Sequence, residues 1–334
     1  MKKIVFVALF ALLLAGGGLH FAKQRIFAPS DTKVSATFQV ENGASAKKIG
    51  KILESRGLIS SGRLFAWWCR YTKAPLKAGW YDIPARTGIA GIAEILSAGK
   101  TAIRKVTIPE GRASWEMPAY FRKAIPNFDS TAWESIVHDS LFAKELGLRT
   151  NSLEGYLLPD TYPIEISATE KDIARQMVQA NLKLRDELSA QKTPLWEELG
   201  NWHRILTLAS VVEEETGKPE ERPLIAGVFV NRLRQGIPLG ADPTVRFIFR
   251  NLTGPIYKSQ LQSDSPYNTR RFPGLMPGPI SNPGRKAIEA VLHPQKTDAL
   301  YFVAKDDGSG THFFSKSLSE HNRYKFTAAK NRGE

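Results

Sequence analysis

The feature that most constrains this chain is an apolar stretch near its N-terminus, Ile4–Ala22, which is interrupted only by one histidine and three glycines. Its 19 residues, at about 1.5 Å per helical residue, just reach across the hydrocarbon core of a bilayer. We therefore predict a cytoplasmic tip and a transmembrane anchor over residues 1–25, and Lys2 and Lys3 favour a cytoplasmic N-terminus. A cleaved signal peptide, with its apolar region over residues 4–15, is the alternative. In both cases the bulk of the chain is exported.

The charge of the chain narrows the class of partner. It has 46 Lys and Arg against 33 Asp and Glu, a formal net charge of +13. Such an excess favours nucleic acid, an acidic membrane leaflet or an anionic polymer, and export argues against nucleic acid. The only cysteine, Cys69, stands among aromatic residues, so we predict a buried apolar side chain and no intrachain disulfide.

The exported part is predicted to have an α+β fold in two domains. After a linker over residues 26–34, a strand, two helices, a second strand and a closing helix are predicted in a small βααβ module over residues 35–100. A larger mixed α+β catalytic domain follows over residues 101–328. Within it, residues 272–284 contain four prolines and three glycines, which excludes a helix or a central strand. Two aromatic-rich strands joined through Asp-Asp-Gly predict a hairpin after that segment.

Three consecutive glutamates follow an apolar run in a predicted helix over residues 203–216. At about 100° per residue, one broad face of this helix holds its apolar side chains: Ile205, Leu206, Leu208, Ala209, Val211 and Val212. Glu214 falls on the opposite face and is predicted to be solvated, Glu213 falls at the margin, and only Glu215 falls squarely on the buried face. A carboxylate on a buried face is unfavourable unless it is paired or protonated. Glu215 is therefore either a structural ion pair or frayed helix end, or an acid whose pKa is raised by desolvation.

Several longer motifs occur in a distinctive order: LKAGWYDI, VTIPEG, EGYLLPDTY, ASVVEEET, VFVNRLRQGIPLGADPTV, YNTR, GLMPGPISNPG, LYFVAKDDGSGTHFFS and EHNR. From about residue 35 to 325, this order and spacing resemble the endolytic murein transglycosylases, the MltG or YceG-like family. Met276 departs from the resemblance, because the family usually has proline there. The resemblance implies a single-pass protein of the cell inner membrane, with a LysM-like module and a catalytic domain in the periplasm. It also implies peptidoglycan glycan strands as substrate, no cofactor, and peptidoglycan synthases or the elongation or division machinery as protein partners.

The resemblance assigns the essential glutamate of the family, the one directly before threonine, to Glu215. It implies cleavage between N-acetylmuramic acid and N-acetylglucosamine, with Glu215 as general acid and then as general base, leaving an anhydromuramyl end. Other polar residues match the family and could bind substrate, although each could equally be a cap or turn residue: Asn231, Asp242, Thr244, Tyr267, Asn268 and Thr269. Glu154 is a further candidate for substrate binding, although the motif around it favours a turn-stabilising role. His312 and His321 match as well and are expected to be structural. The histidines have no metal-like spacing, so no metal site is expected.

The residues alone do not exclude two other functions. A hydrolytic muramidase would use Glu215 with a second carboxylate, for which the candidates are Glu213, Glu154, Asp160 and Asp242. A non-catalytic scaffold would only hold the anionic wall against the basic surface of the chain. Glycan binding by the LysM-like module is open in the same way.

Overall fold

The computed structural model describes Gly17, residues 20–250 and residues 252–333. Residues 1–16, 18 and 19, which form most of the predicted anchor, lie outside the described residues. Among the described residues, no helix combines the length and the apolar character needed to cross a bilayer. The chain divides into two compact units, one ending at Arg104 and including Pro163–Ala168, the other comprising Lys105–Tyr162 and the chain from Thr169 onwards. Helices and two-stranded sheets make up both, which confirms the mixed α+β prediction.

The first unit has the predicted order of strand, two helices, strand and helix. Its elements are β1 (Ala36–Val40), α1 (Ala46–Ser55), α2 (Gly62–Tyr71), β2 (Gly79–Ile83) and α3 (Ile89–Ala98). Strands β1 and β2 pair antiparallel with Phe38 opposite Tyr81, and both rings are fully buried in the core of this unit.

Two glycines set the close packing of α1 against α2. A Cβ atom on Gly50 would lie 2.5 Å from the carbonyl oxygen of Gly62, and a Cβ atom on Gly62 would lie equally close to the backbone of Gly50. Any larger residue would push these helices apart. The single cysteine, Cys69, is buried in α2, and burial raises its pKa to about 11. This confirms the predicted burial of its side chain.

Strands β3 (Ile103–Thr107) and β4 (Thr161–Glu165) form a two-stranded sheet. The second unit otherwise consists of helices and one hairpin. They are α4 (Pro118–Ala124), α5 (Ser130–Val137), α6 (Ser140–Glu145), α7 (Glu170–Ser189), α8 (Pro194–Leu199), α9 (Trp202–Glu215), α10 (Arg222–Arg234), α11 (Asp242–Ile248), α12 (Lys258–Leu261), α13 (Arg285–Leu292), β5 (Tyr301–Ala304), β6 (His312–Ser315) and α14 (Leu318–Arg332).

Helix α9 packs against α10 and α13 and is buried along most of its length. Even its hydroxyl-bearing residues Thr207 and Ser210 are buried, and both donate to carbonyl oxygens one turn back in the same helix. The Ser210 hydroxyl also accepts a hydrogen bond from the backbone N–H of Ile280 at 3.0 Å. The helix therefore holds residues 272–284, named here the Pro/Gly segment.

The Pro/Gly segment contains neither helix nor strand, as predicted. Asn282 fixes it, because its side-chain amide accepts from the N–H of Leu157 and donates to the carbonyl of Arg112, each at 2.9 Å. Gly155 packs against it, and a Cβ atom there would lie 2.2 Å from Pro279. Since Gly155 also has a φ of +83°, it meets both a steric and a conformational requirement for glycine.

Candidate active site

The three glutamates form the C-terminal end of α9. The N-cap of this helix is Asn201, whose side chain accepts from the N–H of Arg204 at 3.0 Å. At the other end Thr216 is extended, with φ −146° and ψ 134°, so the helix stops directly after Glu215. A short 3₁₀ turn, Pro219–Glu221, then leads into α10.

The side chain of Glu215 lines a cavity of about 500 Å³ in the second unit, named here the acid cavity. Its apolar wall consists of Leu239, Phe302, Val303 and Ala304. Its ionisable lining residues are Glu215, Asp242, Arg232, Arg270, Lys325, His312 and His321. A concave site with a few converging polar groups is the usual form of a small-ligand or substrate site.

The pKa of Glu215 is raised to about 8, first by burial and second by the negative charge of Asp242. The positive charges of Arg270 and Arg232 act in the opposite direction without cancelling this effect. Within the described residues, no side chain or backbone N–H donates a hydrogen bond to the Glu215 carboxyl. At neutral pH this carboxyl is therefore mostly protonated and able to donate its proton.

The second acidic group of the cavity is held by an ion pair. Asp242 begins α11, and one of its oxygens lies 2.7 Å from Nε of Arg270. Arg232, from α10, donates to the carbonyl oxygens of Pro238 and Leu239 at 3.0 and 2.7 Å. The acid cavity thus combines one proton donor, one fixed carboxylate and an excess of cationic groups, which suits a substrate that carries carboxylates.

Glu213 is the most deeply buried of the three glutamates, so the prediction that only Glu215 lies on the buried face is wrong. Glu213 is 8% exposed, pairs with Arg222 and accepts from the N–H of Gly284 at 3.0 Å. The first turn of α10 and the Pro/Gly segment cover Glu213, which helical periodicity alone places at the margin of the buried face. Burial raises the pKa of Glu213 although Arg222 opposes it. Glu214 is exposed, as predicted, but partial burial of its carboxyl raises its pKa to about 7.

Of the predicted substrate-binding residues, only Asp242 lines the acid cavity. Thr244 and Thr269 are buried, with their hydroxyl oxygens 2.9 Å apart. Asn268 and Asn231 donate their side-chain amides to backbone carbonyls of nearby loops. The contacts of these four residues hold the chain around the cavity in place.

Glu154 and Tyr267 line a second cavity, of about 690 Å³. The carboxylate of Glu154 is buried and accepts from the N–H and hydroxyl of Ser114 and from the side-chain amide of Asn282. Burial raises its pKa to about 7, in spite of these hydrogen bonds. Asp160 is exposed and lines neither cavity. The structure thus makes Glu154 an anchor of the Pro/Gly segment and brings neither carboxylate to the acid cavity.

One known protein family matches this chain over most of its length. The model of the YceG-like family matches residues 38–326. The chain belongs to the YceG-like family. Within the family, it is 32% identical to a protein named endolytic murein transglycosylase from Bacillus subtilis (strain 168), over 94% of this chain and 90% of that protein. A Streptococcus pneumoniae (strain D39) protein of the same name is 30% identical, over 96% of this chain and 64% of the longer relative.

A solved structure supports the same relationship. The crystal structure of a YceG-like protein from Listeria monocytogenes superposes on this YceG-like chain with a TM-score of 0.58 and 32% sequence identity. The match covers 87% of this chain and 99% of that one.

Five residues that line the acid cavity of this YceG-like chain are not among the predicted substrate-binding residues: Arg232, Arg270, His312, His321 and Lys325. The two histidines were expected to be structural, yet both line the cavity, and burial lowers the pKa of His321. Their motif matches were a usable signal. The antiparallel pairing of β5 with β6 confirms the predicted hairpin, but the register that brings His312 to the cavity could not be read from spacing. Among the described residues, no group of three or more His, Cys, Asp or Glu side chains could hold a metal ion.

Proposed function

We propose that this chain is a lytic transglycosylase that cleaves peptidoglycan glycan strands internally, between N-acetylmuramic acid and N-acetylglucosamine. The relatives from Bacillus subtilis and Streptococcus pneumoniae carry the name endolytic murein transglycosylase. The observation in this chain that carries the proposal is the Glu215 carboxyl, which lines a cavity and has a pKa of about 8. A carboxyl that stays protonated at neutral pH can donate its proton to a departing sugar oxygen.

The proposed reaction uses Glu215 twice. First, its carboxylic acid donates a proton to the glycosidic oxygen, the bond from that oxygen to the anomeric carbon of N-acetylmuramic acid breaks, and the electron pair leaves with the oxygen. Next, the primary hydroxyl of the same sugar attacks the anomeric carbon, and the Glu215 carboxylate accepts the hydroxyl proton. The product is an anhydromuramyl end, Glu215 is protonated again, and no water is consumed.

Asp242 assists this reaction in two ways. Its charge raises the pKa of Glu215, which keeps the acid protonated. Its carboxylate also lies in the cavity where the sugar becomes positively charged in the transition state, and the ion pair with Arg270 holds it in place. The cationic groups of the cavity complement the carboxylates of the peptides that peptidoglycan carries.

A muramidase is the second candidate, and one observation favours it. Asp242 is a second carboxylate in the acid cavity, and hydrolytic glycosidases use two carboxyl groups beside the scissile bond. Arg270 occupies one oxygen of the Asp242 carboxylate, which leaves this group less available to activate a water molecule or to attack the sugar, and for this reason we favour the lytic reaction. The two products differ, because hydrolysis adds one water to each cleaved end.

We also propose that the chain is a single-pass protein of the cell inner membrane with its bulk in the periplasm. The apolar stretch Ile4–Ala22 behind Lys2 and Lys3 supports the anchor and its orientation. The net charge of +13 supports association of the exported part, including a LysM-like module over residues 35–100, with the anionic wall. Peptidoglycan synthases and elongation or division proteins would then be within its reach.

Digestion of purified peptidoglycan by the full-length chain tests the function, with the released fragments weighed by mass spectrometry. Fragments of several disaccharides with anhydromuramyl ends support internal lytic cleavage. Ends heavier by one water identify a muramidase, and release of single disaccharides only contradicts internal cleavage. No release by the wild-type chain contradicts both enzymatic functions and leaves a scaffold.

A further inference from the structure

A carboxylate–histidine pair, Glu221 and His312, contributes its imidazole to the lining of the acid cavity, which Glu215 also lines. One carboxylate oxygen of Glu221 is 2.7 Å from Nδ1 of His312, and the other accepts from the backbone N–H of His312 at 2.9 Å. The side chains of His312 and Glu221 are 11% and 14% exposed. Glu221 ends the 3₁₀ turn that follows Glu215 in the chain, so one short segment carries both the acid and the partner of the histidine.

This contact selects one tautomer of the neutral imidazole. An ionised carboxylate can only accept hydrogen bonds, so Nδ1 of His312 carries a proton, and in the neutral ring Nε2 is then an acceptor. Within the described residues, Nε2 of His312 has no hydrogen-bond partner.

The ring of His312 is also fixed in orientation. Strand pairing places His312 opposite Ala304, and Phe302 meets the imidazole edge to face, with 5.5 Å between centroids and 84° between planes. All three residues line the acid cavity. The ring is therefore held at the cavity by a carboxylate on one side and an aromatic ring on another.

The cavity has few acceptors for the donors of a sugar. Arg232, Arg270 and Lys325 are donors only, and one of the two carboxylate oxygens of Asp242 is engaged by Arg270. Sugar hydroxyls and acetamido N–H groups both need acceptors when they leave water. A fixed Nε2 acceptor supplies what the arginines and the lysine cannot.

We propose that His312 is a second substrate-contacting residue, whose Nε2 accepts a hydrogen bond from a hydroxyl or acetamido N–H of the sugar held against Glu215. Glu221 is the positioning residue that keeps the imidazole in the required tautomer. This inference rests on the proposed lytic function and adds to it a residue pair for substrate recognition.

Substitution of Glu221 by glutamine separates this role from a structural one. The glutamine oxygen still accepts from the backbone N–H of His312, but its NH₂ group faces Nδ1 and requires an acceptor there. The ring proton then moves to Nε2, which becomes a donor, as happens when the carboxylate of a catalytic triad is replaced by its amide. The fold keeps its contacts while the site loses its acceptor.

The experiment compares full-length wild type, Glu221→Gln and His312→Ala, with Glu220→Gln as the matched control from the same turn, where the side chain is exposed. Release of anhydromuramyl fragments gives kcat/KM, and ¹⁵N NMR with histidine-selective labelling reports which ring nitrogen of His312 carries the proton. We expect Nδ1–H in wild type and Nε2–H in Glu221→Gln. We expect kcat/KM to fall about 10- to 100-fold in Glu221→Gln and His312→Ala, and to stay at the wild-type value in Glu220→Gln.

An unchanged kcat/KM in a folded Glu221→Gln chain overturns the proposal, and so does a wild-type His312 protonated at Nε2 alone. Both results leave the lytic function intact if wild type still releases anhydromuramyl fragments and Glu215→Gln does not. Absence of these fragments from the wild-type digest overturns the function instead. If His312→Ala fails to fold, the tautomer of His312 in the wild type and the kcat/KM of Glu221→Gln still test the proposal.

Discussion

Asp242 lies in the same cavity as Glu215, and its negative charge raises the pKa of the Glu215 carboxyl. Arg270 pairs with Asp242 and lowers the pKa of Glu215. The acidity of the proton donor is therefore set by a neighbouring ion pair as well as by burial. This relationship makes the pH dependence of the reaction a direct probe of the site.

The activity of the chain should fall as the pH rises through about 8, because Glu215 must be protonated to act as the acid. Above that pH, kcat/KM should decrease about tenfold per unit. Asp242→Asn removes the charge that raises the pKa and frees Arg270, so it should move this alkaline limb to lower pH. Arg270→Gln should move it to higher pH.

Initial rates of fragment release across a pH series test these shifts. The two substitutions are controls for each other, since both disrupt the same ion pair but change the pKa of Glu215 in opposite directions. The account would be contradicted if kcat/KM began to fall near pH 4.5, the ordinary carboxyl pKa, or if the alkaline limb moved in the same direction in both variants.

The buried pair of Glu213 and Arg222 should stabilise the second unit without taking part in the chemistry. Glu213→Gln leaves the Arg222 side chain, which is 7% exposed, without its closest anionic partner, and should reduce the free energy of unfolding by about 3–5 kcal/mol. Glu213→Gln combined with Arg222→Met removes both charges and should lose less than the sum of the two single variants. Denaturant unfolding measures all three, and strictly additive losses would argue against the pair.

Gly155 should be required by the Pro/Gly segment, because a Cβ atom there would lie 2.2 Å from Pro279. Gly155→Ala should lower the free energy of unfolding by about 3 kcal/mol or more, through steric overlap added to the strain of a positive φ. Gly274→Ala is the matched control, since Gly274 has a φ of +88° but open space around its Cβ position. Similar thermal midpoints for the two variants would show that Pro279 shifts to accommodate the added Cβ atom at little cost in stability.

Glu154 should make stability depend on pH. Its pKa is about 7 in the folded chain against an ordinary 4.5, so the folded state binds the proton more tightly than the unfolded state. Its contribution is fully present below about pH 4.5 and is lost as the pH rises through 7. The free energy of unfolding should therefore decline across this window, and Glu154→Gln should make the slope less steep while Glu214 and Glu215, whose pKa values are also raised, keep part of it. If the slope in Glu154→Gln equalled that of the wild type, groups other than Glu154 would be responsible for the pH dependence of stability.

Part of this site could be predicted from sequence because the relevant information is local. Helical periodicity placed Glu215 on a face that leads into the protein, and four prolines ruled out regular structure in the Pro/Gly segment. Composition and periodicity also gave the α+β class and the order of the elements in the first unit.

The remaining features of the site depend on contacts between segments that are far apart in the sequence. The burial of Glu213 follows from Arg222 and Gly284, which lie on other elements and cover the edge of α9. The arrival of His312 in the acid cavity depends on strand register, which a single sequence does not specify. Thr244 and Thr269 match the family as polar residues, but only the fold shows that they bond each other.

The most direct test of the central claim is a digest of purified peptidoglycan by Glu215→Gln beside Glu214→Gln, both in the full-length chain. The two substitutions are isosteric neighbours on one helix, but only Glu215 lines the acid cavity. The account predicts anhydromuramyl fragments from wild type and Glu214→Gln and none above background from Glu215→Gln. Continued strand cleavage by a folded Glu215→Gln chain would contradict it.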